Sequence, residues 1–548
     1  MSSPTLRTHT GIRPWAIAAG FAGGVCLLPV VAVLLASFGG GTETLEHLMD
    51  TVLPRYIRAT LALLCLVSVG TFLLGTGAAW LVTMTRFPGR RFLEVALVLP
   101  LAFPAYVLAY AYTHVLDHPG IVQTLLRDIT GWGPRDYWFP EIRSLGGAAA
   151  MLTLVLYPYV YLLARAAFLQ QSSSTFLAAR LLGHSAWWSF LRVSLPMARP
   201  AISAGVLLAC METIADFGTV SYFNVQTFAT GIYRSWFSLA DRPAAAQLAL
   251  GLLAVALALV VLERATRGEA RYHTDRRMEQ HAPFELRGAA KWVAVLLCGL
   301  PVVFGAVLPV AALLVMGIGS EQDILTDRYI GFVTNSITLA SAGALVTVLA
   351  AIALGYFHRL RPGPFSQSAL QIARLGYAVP GGVIAVGLLV PFAAFDNQLD
   401  AFMRSTFDMS TGLLVTGSIW LLVAAYMIRF LAAALGAYEG GLVTIHRNLD
   451  AAASVLGRGP FGILRRIHLP ILAPSLMTAA LIVFVDVMKE LPATLIMRPF
   501  NFDTLAVQAH RLAADERLEG AAVPSLIIVA VGLVPVILLC RRVGSRRS

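Results

Sequence analysis

Charge is what this sequence has least of. Asp, Glu, Lys and Arg make up 13% of its 548 residues, against roughly 25% in an average soluble domain. Lysine is nearly missing, with Lys291 and Lys489 the only two. Cysteine is sparse as well. Cys26, Cys65, Cys210, Cys298 and Cys540 lie far apart inside apolar runs. They offer neither a disulfide framework nor a metal-binding spacing, and read as small buried hydrophobes. There is no phosphate-cradling glycine loop ending in Lys-Ser or Lys-Thr, because neither lysine has that context. A paired nucleophile and base, or a His-Glu-x-x-His metal motif, is also missing. These absences argue against an enzyme and against a chain that hydrolyses ATP or holds a cofactor by itself. The net charge of +11 sits in short loops rather than on one face of a domain, which argues against nucleic acid as a partner.

Hydrophobicity is what the chain has most of. Apolar residues reach 57% and the mean hydropathy is +0.73, which places it among polytopic, all-α membrane proteins in contact with a lipid bilayer. Apolar runs of about 20 residues, the length that crosses a bilayer, fall near 15–38, 58–83, 93–115, 145–168, 200–222, 244–263, 292–316, 332–357, 370–394, 411–435, 473–497 and 522–540. The first run is longer than the apolar core of a signal peptide, about 7–15 residues, and is read as an uncleaved span. Trp15, Trp132, Trp138 and Trp292 lie near span ends and suit interfacial anchoring.

Loop charges orient the chain. The stretch RFPGRR (86–91) and the segment 165–199 carry arginines and no acid, and the tail reads RRVGSRRS. The segment 116–143 mixes Asp117, Asp128, Asp136 and Glu141 with Arg127, Arg135 and Arg143. Basic loops stay on the cytoplasmic side, so both termini are expected there. The charged stretch 264–291 falls on the same side and reads as a linker between two six-span halves, 1–263 and 292–548.

The halves repeat each other. Ala178, Ala179, Gly183, Leu195, Pro196 and Pro200 stand 274 residues before Ala452, Ala453, Gly457, Leu469, Pro470 and Pro474, and 274 is half of 548. LAFPAYVLA (101–109) resembles YAVPGGVIAVG (377–387). Glu212 and Asp216 sit opposite Asp486 and Glu490, and Ala240-Asp241 opposite Ala514-Asp515. Six spans return the chain to its starting side, so the two copies run parallel. The inner loops, about 165–199 and 436–472, are long for their position. Ser172-Ser173-Ser174-Thr175, and Asn448 and Asp450, are N-cap candidates. Gly183 and Gly457 suit a left-handed helix end. Each loop is expected to run helix, sharp turn, helix, with Leu-Pro ending the second helix before the next span. Taken singly, such helices also suit the membrane surface; their paired occurrence suggests two identical docking partners.

These loops resemble the Glu-Ala-Ala, three residues, Gly element of permease subunits of binding-protein-dependent ABC importers. The likeness rests on Ala178, Ala179 and Gly183, on Ala452, Ala453 and Gly457, and on the Leu-Pro downstream. It implies the type I importer permease fold, about twelve spans in two parallel six-helix repeats fused in one chain. It also implies coupling helices that dock on two copies of a cytoplasmic ATPase subunit, which uses the ATP and magnesium. Leu177 and Ala451 stand where the family has glutamate, with Asp450 one residue earlier, so docking is expected to rest on shape, apolar contact, Arg180 and Arg458. The stretches 211–243 and 486–520 resemble fused ferric-iron permeases, which implies a periplasmic ferric-iron-binding protein as partner, Fe3+ as cargo and the bacterial inner membrane as location. Sister permeases for thiamine or phosphonate, and a twelve-span secondary transporter, stay as alternatives.

Glu212 and Asp216, and Asp486 and Glu490, are four apart, a spacing that puts both acids of a pair on one helix face. Ionisable groups in a span are costly and point to function, so the four are candidates for the translocation path. The competing reading is local pairing that holds helices together, for instance Glu490 with Lys489 or Arg498. His114, Asp117 and His118 read as ordinary loop residues at a span end.

Overall fold

The computed structural model describes residues 9–40, 46, 48–171, 182–183, 185–267, 284–320, 322 and 326–545. Among them the architecture is all-α, apart from a two-residue parallel pairing of Thr85–Arg86 with Phe284–Glu285. Among the described residues eleven helices are long and apolar enough to cross a membrane. A bent pair, Arg90–Ala102 with Ala105–Thr130 at 96°, brings the number to twelve. A helix bonds all its backbone groups internally, the condition that a hydrocarbon solvent imposes.

The duplication read from the residues is also a duplication of helix starts. Leu53–Met84 and Asp327–Leu360 begin 274 apart (327 − 53). The same offset separates Arg90–Ala96 from Pro364–Leu375 and Leu145–Gln170 from Ile419–Leu442. It recurs for Leu195–Ala215 and Leu469–Met488, and for Gly218–Tyr222 and Pro492–Met497. The two copies thus place their core helices in one register.

Two spans differ from their apolar runs. The run 93–115 and the run 370–394 are each broken at a proline. In the first repeat Arg90–Ala96 leads through a tight turn, Leu99–Ala102, to a break at Phe103-Pro104, and a helix restarts at Ala105. In the second, Pro364–Leu375 and the turn Gly376–Ala378 lead to Val379-Pro380, and the helix Gly381–Phe407 follows. Pro104 and Pro380 are extended, with ψ 139° and 147°. A residue before proline is pushed out of the helical region, and proline has no N–H to continue the ladder. Hydropathy carries none of this, because proline interrupts the hydrogen bonds without making the run polar.

The compact packing units cut across the sequence halves. One comprises residues 1–51, 231–253 and 323–508; the other comprises 52–230, 254–322 and 509–548. In the first unit the helix His9–Ser37, from the first half of the chain, packs on core helices of the second repeat. Trp15 lies edge-on to Tyr356 with centroids 5.2 Å apart, so it is a packing residue as well as a span-end aromatic. A Cβ at Gly387 would stand 2.4 Å from the Pro29 carbonyl oxygen, which only glycine avoids. In the second unit the helix start Ala289–Val302 and the segment after it pack on the first repeat's core, and the Tyr112 hydroxyl donates to the Phe304 carbonyl at 2.7 Å.

Each repeat ties its fourth core helix to the broken one by an ion pair of opposite polarity. Arg165 on Leu145–Gln170 pairs with Glu94. At the equivalent position (165 + 274) stands Glu439, which pairs with Arg374 at 2.7 Å. The first pair is buried, at 11% and 9% side-chain exposure; the second is exposed, at 55% and 37%. Removing one partner of a buried pair strands a charge and costs about 3–5 kcal/mol, whereas an exposed pair contributes about 0–1 kcal/mol. Glu94→Ala is therefore expected to lower the melting temperature in detergent clearly and Arg374→Ala hardly at all. Equal shifts would remove the distinction.

Candidate functional site

The second inner loop is fully described. Helix Arg447–Val455 starts after His446, whose Nδ1 accepts from the Asn448 N–H at 3.3 Å. The cap is therefore His446 rather than Asn448 or Asp450, which fall inside the first turn. Asp450 there suits the positive end of the helix. The helix ends in a left-handed glycine, Gly457, at φ +77°. The Gly457 N–H donates to the Ser454 carbonyl and the Arg458 N–H to the Ala453 carbonyl, both at 3.0 Å, the paired bonds of a Schellman end. Ala453 packs inward at 6% exposure, while Ala452 and Arg458 are exposed. Only one of the two alanines thus offers the outward small surface. Around it stand Val455, Leu456 and Phe461, exposed by 88%, 80% and 65%, an apolar surface at the tip of a polar loop.

The first inner loop is described only in part. Leu177, Ala178, Ala179 and Arg180 lie outside the described residues, as do Ser172 to Thr175. Gly183 is left-handed at φ +87°, and Leu182 and Trp187 beside it are largely exposed. Both loops thus place a left-handed glycine at the same position.

The second helix of each loop does not stop at Leu-Pro. It continues into the following span through one wide π-helical turn, Phe190–Ser194 before Leu195 and Leu464–His468 before Leu469. The Leu195 N–H reaches back to the Phe190 carbonyl and the Leu469 N–H to the Leu464 carbonyl. Pro196 and Pro470 lie in the first turn of the helical segment beyond, where the missing N–H is tolerated. The widening precedes the proline and keeps the rod continuous.

Asp450 faces inward. Its carboxylate accepts from Arg359 Nε at 2.7 Å and from His468 Nε2 at 2.7 Å. Arg359 also donates to the Ile445 carbonyl at 2.9 Å. Asp450 therefore binds its helix to the helices on either side, and is not a free carboxylate for a partner. Arg359 and His468 escaped the sequence reading. Their signal was a mismatch, since Thr85 and Ser194 stand 274 residues earlier.

The four acids at the far ends of these spans divide into two roles. Leu195–Ala215 ends before Asp216, and Leu469–Met488 ends before Glu490. The four-residue spacing therefore does not put each pair on one helix, because the chain turns between its members. Asp216 caps the short helix Gly218–Tyr222, accepting from the Thr219 and Val220 N–H groups at 3.1 Å each and from Thr219 Oγ1 at 2.9 Å. Glu490 caps Pro492–Met497 in the same way, from the Ala493 N–H at 2.9 Å, the Thr494 N–H at 3.0 Å and Thr494 Oγ1 at 2.6 Å. Lys489 pairs with Asp486 at 2.9 Å and Arg498 with Asp503, not with Glu490. Glu212 is half-buried. Among the described residues no cluster of three His, Cys, Asp or Glu side chains is arranged to hold a metal.

Asp117 belongs to a polar knot. Arg143 Nε donates to it at 3.1 Å, and the same guanidinium grips Glu516 with two bonds of 2.6 and 2.7 Å and lies 5.1 Å from the Tyr222 ring centre. The bonds to Arg143 hold the Glu516 carboxyl below its ordinary value of 4.5. A depressed carboxylate pKa contributes stability above the unfolded value, which is lost as pH falls through the folded one. Glu516 is 60% exposed, so solvent screens much of it. Arg143→Met is expected to flatten the acid limb of the melting temperature below about pH 4.5; an unchanged limb would exclude the pair as its source.

Residues 71–267 match the family described as binding-protein-dependent transport system inner membrane component; the match takes in Gly183 and Asp216. The chain is 27% identical over 531 residues to the Fe(3+)-transport system permease protein FbpB 2 of Haemophilus influenzae, covering 94% of this chain and 95% of that protein. It is 24% identical over 561 residues to a probable ABC transporter permease, y4fN, of Sinorhizobium fredii, covering 95% and 94%. Over 36% of the chain it is 30% identical to the sulfate transport system permease CysW of Escherichia coli, spanning 65% of that protein.

Proposed function

We propose that this chain, which resembles permeases of binding-protein-dependent ABC importers over nearly its whole length, carries ferric iron across the bacterial inner membrane. It is an integral membrane protein with the spans and the duplicated core of a type I importer permease. Its role is that of a non-enzymatic transport component. In this reading a periplasmic binding protein delivers the ion to the outer loops, and two copies of a cytoplasmic ATPase supply the power. Both termini and the two inner loops lie on the cytoplasmic side, where basic loops are retained.

One observation carries the reading. Each repeat presents a loop that ends in a left-handed glycine, beside exposed apolar side chains, and then runs without a stop into a span. A secondary transporter has no need to build that device twice. It suits a groove on an ATPase, with Gly183, Ala452, Gly457 and Arg458 at the contact, joined by Ala178, Ala179 and Arg180 in the first loop. Closure of the ATPase pair on ATP would push both loops and rock the repeats between outward and inward openings.

Ferric iron as cargo is supported by full-length similarity to an Fe(3+)-transport permease. The partial similarity to a sulfate permease, at 30% identity, favours an oxyanion as the second reading, and phosphonate falls in the same class. Hard cations prefer oxygen ligands, and Glu212 and Asp486 are the acids not engaged in capping that could face a path. The deciding experiment is reconstitution with the ATPase and the candidate binding protein. ATP-dependent uptake of ferric iron, with no stimulation by sulfate-, thiamine- or phosphonate-loaded binding proteins, is expected. Uptake that survives an inactive ATPase and collapses with the proton gradient would instead make the chain a secondary transporter.

A further inference from the structure

The second inner loop is fastened to the span it feeds, and the residues that fasten it have no equivalents in the first loop. Asp450 sits in the first turn of Arg447–Val455. One of its oxygens takes the Arg359 Nε–H and the other the His468 Nε2–H, both at 2.7 Å. His468 is fully buried, and Arg359 is 9% exposed. Charge-assisted bonds of this length are the stronger kind, and here both donors are shielded from water. The three residues come from three places: the loop helix, the end of Asp327–Leu360, and the last position of the π-helical turn Leu464–His468. The Tyr356 ring stands edge-on to His468 at 5.2 Å, and its hydroxyl donates to the Pro460 carbonyl at 2.6 Å. The clamp therefore holds the widened turn at the base of Leu469–Met488, and wide turns inside helices often lie at functional sites.

At the equivalent positions of the first repeat stand Thr85, Phe176 and Ser194 (359, 450 and 468, each less 274). None of them is ionisable. The Thr85 hydroxyl donates to the Leu81 carbonyl of the helix before it at 2.6 Å, and among the described residues the buried Ser194 hydroxyl has no hydrogen-bond partner.

We infer that Asp450, Arg359 and His468 form a clamp that couples the second inner loop rigidly to Leu469–Met488, so that ATP-driven motion of that loop enters the transport path through these three side chains. The inference rests on the importer reading. Asp450, Arg359 and His468 are positioning residues: they transmit movement and touch neither cargo nor ATP. A loop that moves as one piece with the base of its span converts ATPase closure into displacement of the capped break at Glu490.

The test is the ratio of cargo taken up to ATP hydrolysed, measured in proteoliposomes that hold the full chain, its ATPase and its binding protein. Asp450→Asn and His468→Leu are expected to lower that ratio about tenfold while the ATPase still co-elutes and still hydrolyses ATP. The double variant should fall no further than either single, as members of one unit do. His468→Gln keeps a side-chain N–H donor and should retain most of the ratio, a rescue that a purely packing role does not predict. Ser194→Ala, the equivalent position in the first repeat, should leave it unchanged. An unchanged ratio in Asp450→Asn and His468→Leu overturns the clamp. So does loss of the ATPase from the complex, which makes Asp450 a docking residue. Wild-type chain without ATP-dependent uptake overturns the importer reading, and the clamp with it.

Discussion

Replacing Gly183 and Gly457 together by valine is expected to lower ATP-driven uptake about a hundredfold while leaving a chain that inserts and folds. Both glycines occupy the left-handed region, at φ +87° and +77°. Among the described residues a Cβ at either position meets nothing within 4 Å, so the cost of the substitution lies in the backbone. That cost is about 1–2 kcal/mol for an ordinary residue, and a β-branched one is a genuine outlier there. The loop escapes it by unwinding the last turn, which in the second repeat breaks the paired bonds from Gly457 and Arg458. The helix end then loses its direction, and Val455 and Leu456 lose their place on the docking surface. About 1.4 kcal/mol is a factor of ten in affinity, so two such losses, independent because they lie on separate loops, point to a drop of about a hundredfold. ATPase co-elution and uptake in proteoliposomes measure it. Wild-type uptake in the double variant would show that neither glycine serves coupling.

Glu490→Ala is expected to be among the most destabilising single changes in the chain, with Asp216→Ala close behind. Each carboxylate accepts two backbone N–H bonds and one hydroxyl bond. Alanine strands the two N–H donors in buried surroundings, at about 1–3 kcal/mol for each unsatisfied group, and the short helices beyond have no other cap. Glutamine and asparagine separate the two roles of these acids. They keep an acceptor oxygen in place and remove the charge. Glu490→Gln is expected to hold the melting temperature within a few degrees, since about 1 kcal/mol corresponds to roughly 2–4 °C in a domain of 150–250 residues. Uptake that falls in Glu490→Gln at preserved stability shows that the charge serves the path as well as the cap; retained uptake leaves Glu490 a cap alone. Asp486→Asn and Glu212→Gln then ask the same of the acids within the two spans.

The repeated segments LAARLLG (177–183) and AAASVLG (451–457) were legible because duplication is a property of order. A spacing of 274 survives in the string of letters, and the structure repeats it in the starts of core helices from Leu53 and Asp327 to Gly218 and Pro492. The left-handed glycines were legible because only their residue type suits that backbone. The partners of the acids were not. Helical spacing assumes that the helix continues, and the chain turns at Asp216 and before Glu490, which sends each carboxylate to the N–H groups of the next helix. Trp15 was legible as a span-end aromatic, but its contact with Tyr356 lies 341 residues away (356 − 15) and no local pattern encodes it.

By itself the sequence determined that this chain is helical, spans a membrane about twelve times, repeats one six-span unit, and turns at Gly183 and Gly457. Those properties follow from hydropathy, period and the sterics of single residues, all of which are local. Tertiary structure alone decided which helices pack in each unit, and that Asp450 faces Arg359 and His468 rather than a partner. These depend on which distant groups meet, because a buried carboxylate or backbone donor takes the partner that folding brings to it.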